Sequence, residues 1–467
     1  MLFSSITFLY LFLPILFIFY YINKDIKYKN IILIIFSLIF YATGEPVYVI
    51  LLIIITYINY LLSKVIYNSN EKISLVVFVL TLTIDILTLI YFKYFNLIID
   101  TINIICRTSF NHINVTLPLG ISFFTFQIIS YIIDVKIKIV TPEKRYANFL
   151  LYVSLFPQLI AGPIVRYSDI RLEIEDRVIN APSIIRGAYR FSVGLAKKVL
   201  IANVLGKMSV ALFSLELSKV SILSSWFMVI IYALQLYFDF SGYSDMAIGL
   251  SKMFGFNLLE NFNYPYISTS ITEFWTRWHI SLSSFFRDYV FIPISLKTRK
   301  TYLSLFIVWF LTGLWHGASY NFILWGLFYF VILSIEKLFL LKLLKRLPSI
   351  LRKIIGFIYT VFFVILANNI FYRTDLSNLF NSFKVMFGLT GNEFYDLYFV
   401  SLFKENFFLI ILAMILSTPL LDYLTKKLFY RRSHEMVIKT TFIIILVFLS
   451  TIELLSNSYN PFLYFRF

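Results

Sequence analysis

The chain has 467 residues, of which 60% are hydrophobic and only 14% are charged, and it carries a formal net charge of +16 at pH 7. Soluble globular proteins average about 45–50% apolar and about 25% charged residues, so this composition excludes an ordinary soluble domain. The single cysteine and the four histidines likewise exclude intramolecular disulfides, thiolate zinc sites and iron–sulfur clusters.

The apolar residues fall in long runs separated by short polar stretches. Most runs reach or approach the ~20 residues that a membrane-spanning helix needs. In chain order they predict an all-α integral membrane protein with about eleven spanning helices. Since no polar stretch is long enough to fold alone, residues 1–467 are expected to form a single polytopic domain. The runs lie at 1–22, 30–43, 46–63, 74–98, 117–133, 147–164, 191–213, 220–250, 302–336, 354–370, 407–424 and 437–455.

Lysine and arginine are concentrated between the apolar runs, where basic residues set the orientation of a membrane protein. With these stretches on the cytoplasmic side, the N-terminus lies outside. The basic residues are not gathered on one soluble face, so we predict contact with membrane lipids and no nucleic-acid partner. The clearest clusters are Lys24, Lys27 and Lys29; Lys136, Lys138, Lys144 and Arg145; Lys337, Lys342, Lys345, Arg346, Arg352 and Lys353; and Lys426, Lys427, Arg431 and Arg432.

The first polar interruption of the apolar background covers residues 237–246, at the inner end of a long apolar run. It contains Asp239, Ser241 and Asp245. An ionisable residue inside a membrane segment is costly, and by default it is a candidate for function. The two acids could bind a cation, or they could hold a lysine or arginine of another helix. The sequence leaves both interpretations open.

The second polar interruption covers residues 273–289. On a continuous helix, Trp275, Trp278 and His279 would lie on one face, and Arg277 would face elsewhere. Taken alone, this pattern predicts an amphipathic helix at the membrane interface, with aromatic anchors and arginines that reach for water. His279 is then either a hydrogen-bonded structural residue or a functional one.

The third interruption lies inside the run 302–336, which is too long for one spanning helix. Gly313, Gly317 and Gly326 interrupt this run, which predicts a helical hairpin or a broken helix. Apart from tyrosines, His316 is the only titratable residue between Tyr302 and Glu336. A histidine that lines a tunnel can act as a general base near neutral pH, so a functional role is favoured for His316.

Several motifs in a fixed order carry a family resemblance along nearly the whole chain. They are Tyr91–Tyr94, Leu117–Gln127, Phe156–Ile164, Tyr237–Met246, Trp275–His279, Leu314–Gly317 and Pro461–Phe465. With these motifs the chain resembles the membrane-bound O-acyltransferase (MBOAT) superfamily. Within it, the chain is most similar to the bacterial branch that O-acetylates alginate, peptidoglycan and exopolysaccharides. One departure is the stretch Ser295–Lys300, where relatives often carry a glycine-rich turn.

The resemblance implies an MBOAT-type bundle with re-entrant and interfacial helices around a central tunnel. His316 matches the residue treated as catalytic throughout the family, and His279 matches a second position that is often Asn, Asp or His. His279 and its neighbouring tryptophans would orient the donor or stabilise the oxyanion. Direct transfer and a covalent acyl-histidine intermediate both stay open. The other residues expected to bind substrate or line the tunnel are Trp275, Arg277, Trp278, Ser281, Trp315, Asn321, Asp239, Ser241 and Asp245.

The resemblance also implies a multi-pass protein of the bacterial cytoplasmic membrane. It would take an acyl group, with acetyl favoured, from a cytoplasmic thioester such as acetyl-CoA, and it would hold no tightly bound cofactor or metal. An extracytoplasmic acetyltransferase partner would complete the transfer onto hydroxyls of a cell-surface polysaccharide.

Three other functions remain open at this point. The first is D-alanyl transfer from a carrier protein to teichoic acid, which has the same acyl-transfer chemistry with a different substrate. Release of D-alanine instead of acetate would identify it. A transporter or flippase would sustain substrate flux without His316 and would consume no acyl donor. A membrane scaffold for a separate soluble acyltransferase would not need His316 at all.

Overall fold

The computed structural model describes residues 1–428, 432–457 and 459–462. Over these residues the chain is built of helices, turns and loops, with no β-strand, which confirms the predicted all-α class. Two predicted features fall partly outside the described residues: Arg431 of the fourth basic cluster, and Leu463, Tyr464 and Phe465 of the terminal motif.

Five helices within the described residues are long and apolar enough to cross a membrane. A helix pair bent by 65° between Leu397–Glu405 and Phe407–Leu416 would add a sixth. These findings support a multi-pass membrane protein. The count of about eleven crossings stays a prediction. The five candidate spans are Tyr48–Asn68, Glu71–Cys106, Ile222–Met253, Ser349–Tyr372 and Glu435–Ser456.

The chain divides into two compact units. Unit 1 consists of Met1–Ser192 and Tyr243–Leu259, and unit 2 consists of Val193–Gly242 and Glu260–Phe467. The expectation that residues 1–467 form a single membrane domain remains a prediction.

In unit 1, helix α3 (Tyr48–Asn68) packs against both α4 (Glu71–Leu89) and α6 (Ile121–Lys136), and α2 (Ile26–Ala42) packs against α7 (Tyr146–Ser154). The apolar run 147–164 forms only two short helices, α7 and α8, since Pro157 lies where the helix would have to continue. The helices are α1 (Leu13–Tyr21), α2 (Ile26–Ala42), α3 (Tyr48–Asn68), α4 (Glu71–Leu89), α5 (Phe95–Cys106), α6 (Ile121–Lys136), α7 (Tyr146–Ser154), α8 (Phe156–Leu159), α9 (Tyr167–Glu175) and α10 (Ala181–Ala196), which continues into unit 2.

Unit 2 contains the hairpin and the short helices that carry the candidate residues. Its helices are α11 (Asn203–Phe213), α12 (Ile222–Met253, shared with unit 1), α13 (Ile271–Arg277), α14 (Ile280–Phe286), α15 (Ile292–Thr298), α16 (Thr301–His316), α17 (Tyr320–Ile335), α18 (Leu341–Lys345), α19 (Ser349–Tyr372), α20 (Leu376–Met386), α21 (Leu397–Glu405), α22 (Phe407–Leu416), α23 (Leu420–Leu428) and α24 (Arg432–Ser456). After α15, Arg299 adopts a left-handed conformation with φ 56°.

The predicted helical hairpin over residues 302–336 is confirmed by α16 and α17, which are joined through a short turn after His316. The two helices approach so closely that neither glycine at the contact has room for a side chain. A Cβ at Gly313 would lie 2.4 Å from the carbonyl oxygen of Phe322, and one at Gly326 would lie 2.3 Å from that of Trp309. Small residues allow membrane helices to pack at this distance.

The hairpin contact makes a direct prediction for Gly326→Ala. The added methyl group would collide with backbone that cannot rotate away, and such overpacking costs about 1–3 kcal/mol. We expect a lower apparent melting temperature for the purified protein in detergent, with less protein recovered from membranes. Gly44→Ala is the control, because the closest contact of its new Cβ would be the flexible Leu119 side chain at 3.2 Å, with backbone atoms no nearer than 3.8 Å. Equal melting temperatures for the two variants would contradict the close contact.

Candidate active site

His316 is the last residue of α16 and is buried in unit 2 among aromatic rings. Its imidazole lies 4.8 Å from the ring of Trp325 on α17 and 5.1 Å from the ring of Phe371 on α19, measured between centroids. The ring of the adjacent Trp315 is 5.0 Å away. The hairpin and α19 therefore place the histidine in an apolar surround that excludes bulk water.

A small cavity of about 20 Å³ borders His316. Its walls include Trp275, Trp278, Trp325, Tyr329 and Phe371. A void needs at least about 10–15 Å³ on this measure to hold one water molecule, so the cavity has room for only a very small group. Of the predicted site residues, Trp275, Trp278 and His316 lie together at this cavity.

The continuous helix predicted over residues 273–289 is wrong. Helix α13 ends at Arg277 and α14 begins at Ile280, because His279 adopts a left-handed conformation with φ 45°. Asn261 accounts for the break. Its backbone oxygen accepts a hydrogen bond from Ile280 N at 3.0 Å, which takes the place of a helical partner. The break turns His279 away from the regular helix face that its spacing suggested.

The hydrogen bonds around His279 define its tautomer. Asn261 Oδ1 accepts hydrogen bonds from the backbone nitrogen of Ser281 at 3.2 Å and from its hydroxyl at 2.9 Å. The same oxygen lies 3.2 Å from His279 Nδ1. Since an amide oxygen can only accept, Nδ1 carries the hydrogen, and Nε2 of the neutral ring has the lone pair. Burial lowers the pKa of His279 to about 3, which favours the neutral ring.

The buried polar atoms near these residues that have no hydrogen-bond partner among the described residues include Nε2 of His279, the indole Nε1 of Trp275 and Nδ2 of Asn261. Trp275 borders the cavity, and its ring contacts Trp309 at 4.8 Å and Tyr329 at 5.0 Å. Buried polar groups normally have partners, so unsatisfied ones require an explanation. Of these side chains, Trp275 borders the cavity, where its N–H can donate to a bound molecule, whereas His279 does not border it.

Both histidines contact the ring of Trp315, with centroid distances of 5.6 Å to His279 and 5.0 Å to His316. His279 also meets the ring of Phe240 at 4.7 Å. The two residues that the sequence singled out for chemistry are thus packed around one shared indole, although helices α14, α15 and α16 separate them in the chain.

Arg277 and Asn321 do not border the cavity. Arg277 forms an ion pair with Glu273 at 2.9 Å, on the side of α13 that is partly exposed. Asn321 donates hydrogen bonds to the carbonyl oxygens of Ile370 at 3.2 Å and Phe371 at 3.0 Å, so it holds in place the segment that carries a cavity wall. A direct role for either residue in binding substrate stays a prediction.

The two acids of residues 237–246 form separate interhelical ion pairs. Asp239 pairs with Lys198 at 2.7 Å within unit 2, and Asp245 pairs with Arg190 at 2.7 Å within unit 1. Of the two interpretations left open by the sequence, the pairing with basic residues of another helix is the one observed. Ser241 is buried between them in the chain and does not border the cavity.

Glu336 is a supporting residue that sequence reasoning missed. This fully buried carboxylate follows α17 and accepts hydrogen bonds from the backbone nitrogens of Ile271 at 2.7 Å and Thr272 at 2.8 Å, and from the Thr272 hydroxyl. It therefore caps the N-terminus of α13, the helix that carries Trp275. An acid at the end of an apolar run was the available signal, but the basic cluster beside it suggested an ordinary loop.

Comparison with known proteins adds to this geometry. Residues 144–372 match the model of the membrane-bound O-acyltransferase family. The chain is 38% identical over 397 residues to the probable alginate O-acetylase AlgI of Pseudomonas aeruginosa, covering 83% of this chain and 75% of the relative. It is 34% identical to the protein of the same name from Pseudomonas putida, over the full length of both. It is 31% identical to the peptidoglycan O-acetyltransferase of Helicobacter pylori, covering 100% of this chain and 98% of the relative.

The cap on α13 predicts that Glu336→Ala lowers transfer activity by about 10²-fold, because loosening α13 displaces Trp275 from the cavity. Activity is measured at matched membrane abundance, and Glu336→Gln, which keeps one acceptor oxygen, should recover part of the loss. Glu273→Gln is the matched control, since that partly exposed carboxylate contacts only nearby residues of its own segment: it pairs with Arg277 and accepts hydrogen bonds from Thr269, and Gln keeps an acceptor oxygen for the latter. The exposed ion pair contributes less than about 1 kcal/mol. Equal activities of Glu336→Ala and Glu273→Gln would contradict the positioning role.

Proposed function

The chain belongs to the membrane-bound O-acyltransferase family, in its O-acetyltransferase branch, and on this premise we propose that it transfers an acetyl group from a cytoplasmic thioester toward hydroxyls of a cell-surface polysaccharide. The observation that carries the proposal is the small aromatic cavity beside His316. The names of the relatives, which refer to alginate and peptidoglycan, support an envelope polymer as the final acceptor.

His316 acts as the general base in this proposal. Its imidazole takes the proton from an acceptor hydroxyl while that oxygen attacks the acyl carbonyl. A carbon–oxygen bond forms, the carbon–sulfur bond breaks, and the departing thiolate takes up the proton that the imidazole returns. The aromatic rings around His316 keep water out, which limits hydrolysis of the thioester.

His279 and Trp275 orient the reactants. Because Nδ1 of His279 carries the hydrogen, its Nε2 can only accept a hydrogen bond and cannot donate one to an oxyanion. It therefore orients another N–H or O–H group of the bound reactants, since the reacting hydroxyl gives its single hydrogen to His316. The donor role passes to Trp275, whose indole N–H is buried at the cavity wall and lacks a partner among the described residues. A donor placed where negative charge develops lowers the barrier to acyl transfer.

The size of the cavity favours acetyl over longer acyl groups. A volume of about 20 Å³ is close to that of one water-sized group, so a two-carbon unit requires less displacement of the surrounding side chains, among them Trp275 and Trp325, than a longer chain does. The donor is then acetyl-CoA or another small acyl thioester, used as a substrate and not held as a cofactor. An extracytoplasmic partner protein receives the acetyl group and completes its transfer at the outer face of the bacterial cytoplasmic membrane.

The general-base role of His316 predicts that His316→Ala lowers the acetate released from envelope polysaccharide by mild alkali by about 10²–10⁴-fold, toward the level of a deletion strain. His112→Ala is the matched control, because this histidine is exposed and contacts only Asp100, at 2.6 Å. Both variants are compared at equal abundance in the membrane.

Each other outcome of this experiment has a definite meaning. Unchanged acetate in His316→Ala would contradict the catalytic role and favour a transporter or scaffold. Release of D-alanine in place of acetate would show that the transferred group is D-alanyl and not acetyl. The role of His316 as general base would be unaffected by that result.

A further inference from the structure

Helix α4 buries a polar stripe within a candidate membrane span. Its buried residues are Ser74, Thr81, Asp85 and Leu89, so only one of the four is apolar. Asp85 lies 14 residues into the span Glu71–Cys106, roughly 21 Å along the helix axis at 1.5 Å per residue. An ionised carboxylate at that depth is costly, so Asp85 requires a partner.

The only hydrogen-bond partner of Asp85 is the side chain of Asn59 on α3, among the residues that the structure describes. Asn59 Nδ2 donates to Asp85 Oδ1 at 2.8 Å and to the carbonyl oxygen of Ile55 at 3.1 Å, so both amide hydrogens are used. Two acceptor oxygens remain unsatisfied, Oδ2 of Asp85 and Oδ1 of Asn59. Both residues are almost completely buried, with relative exposures of 2% and 1%.

Basic side chains nearby are engaged elsewhere. Lys93 lies eight residues farther along the same span, about 12 Å by helical rise, and donates to Ser122 at 3.1 Å. Lys136 of α6 pairs with Glu71 at 2.9 Å, at the end of α4. The other titratable or charged groups on the inward sides of the helices packed against Asp85 are Tyr60 and Lys64 on α3, and Tyr131 and Asp134 on α6.

We propose that Asp85 and Asn59 form a membrane-embedded proton-binding site that joins α3 to α4. One proton on Asp85 Oδ2 satisfies both remaining oxygens, because the acid O–H then donates to Asn59 Oδ1 while the amide N–H donates to Asp85 Oδ1. This reciprocal acid–amide pair is neutral, which removes the cost of a charge in the bilayer. The site does not depend on the proposed acyl transfer.

A metal cation fits this site less well than a proton. Hard cations in proteins are surrounded by about six or more oxygen ligands, whereas only two oxygens are unsatisfied here. Hydroxyls one helical turn away donate within their own helices: Thr81 to the Val77 carbonyl at 2.7 Å and Thr56 to the Ile53 carbonyl at 2.9 Å. A single proton accounts for both unsatisfied oxygens, whereas a cation would require several further ligands.

The test is infrared spectroscopy of the purified protein in lipid nanodiscs at neutral pH. We expect a carbonyl band of a protonated carboxylic acid that shifts in deuterium oxide and is absent in Asp85→Asn. Asn59→Leu should move this band, because the acid then loses its acceptor. Glu71→Gln, which changes an exposed carboxylate on the same helix, should leave the band unchanged. Absence of a band that Asp85→Asn removes would overturn the proposal.

A second measurement separates the proton from a cation and does not require the spectrum. Asp85→Asn can form the same reciprocal pair between two amides, so its apparent melting temperature should stay close to that of the parent. Asn59→Leu should lower it by roughly 1–4 °C, the range expected for one lost membrane hydrogen bond. Replacing sodium by choline in the buffer should not alter the apparent melting temperature of the parent protein. Stabilisation by sodium that is lost in Asp85→Asn would assign the site to a cation and contradict the proposal.

Discussion

The close contact between α16 and α17 is the constraint on which the candidate site depends. Gly313 and Gly326 let the two backbones approach to a distance that no side chain permits. This approach places His316, at the end of α16, against Trp325 of α17. Without it, the histidine would lack its aromatic surround and the small cavity beside it would lose a wall. The chemistry proposed for His316 is therefore a consequence of how a hydrophobic hairpin packs.

Hydrogen bonds to buried polar groups organise the rest of unit 2, because an apolar environment makes an unsatisfied polar group costly. Glu336 is satisfied by the backbone nitrogens of α13, and these hydrogen bonds hold that helix beside the cavity. Asp239 is satisfied by an ion pair that joins α12 to Lys198. Groups left without a partner have a different meaning. Nε1 of Trp275 lies at the cavity and lacks a partner among the described residues, so it can donate to a bound molecule, and this difference between satisfied and unsatisfied polar groups distinguishes the site from its scaffold.

The sequence predicted the membrane class, the hairpin over 302–336 and the family, since these depend on long apolar runs, interrupting glycines and ordered motifs. It could not predict the break at His279, because the hydrogen bonds from Ile280 and Ser281 go to Asn261, which is distant in the chain and carries no local signal. For the same reason it missed Glu336, whose partners are 64 and 65 residues away. Periodicity in the sequence describes one helix at a time, whereas the break at His279 and the cap formed by Glu336 both depend on contacts between two segments of the chain.

The most direct test of the account uses inverted membrane vesicles supplied with a labelled acyl thioester, with the label then counted on the envelope polysaccharide. If the cavity at His316 transfers only a small acyl group, label from an acetyl thioester will reach the polysaccharide. An octanoyl thioester will give at least about 10-fold less, since even one extra methylene can cost that much in a filled pocket. Equal labelling by both thioesters, or acetyl labelling that survives His316→Ala, would contradict the account.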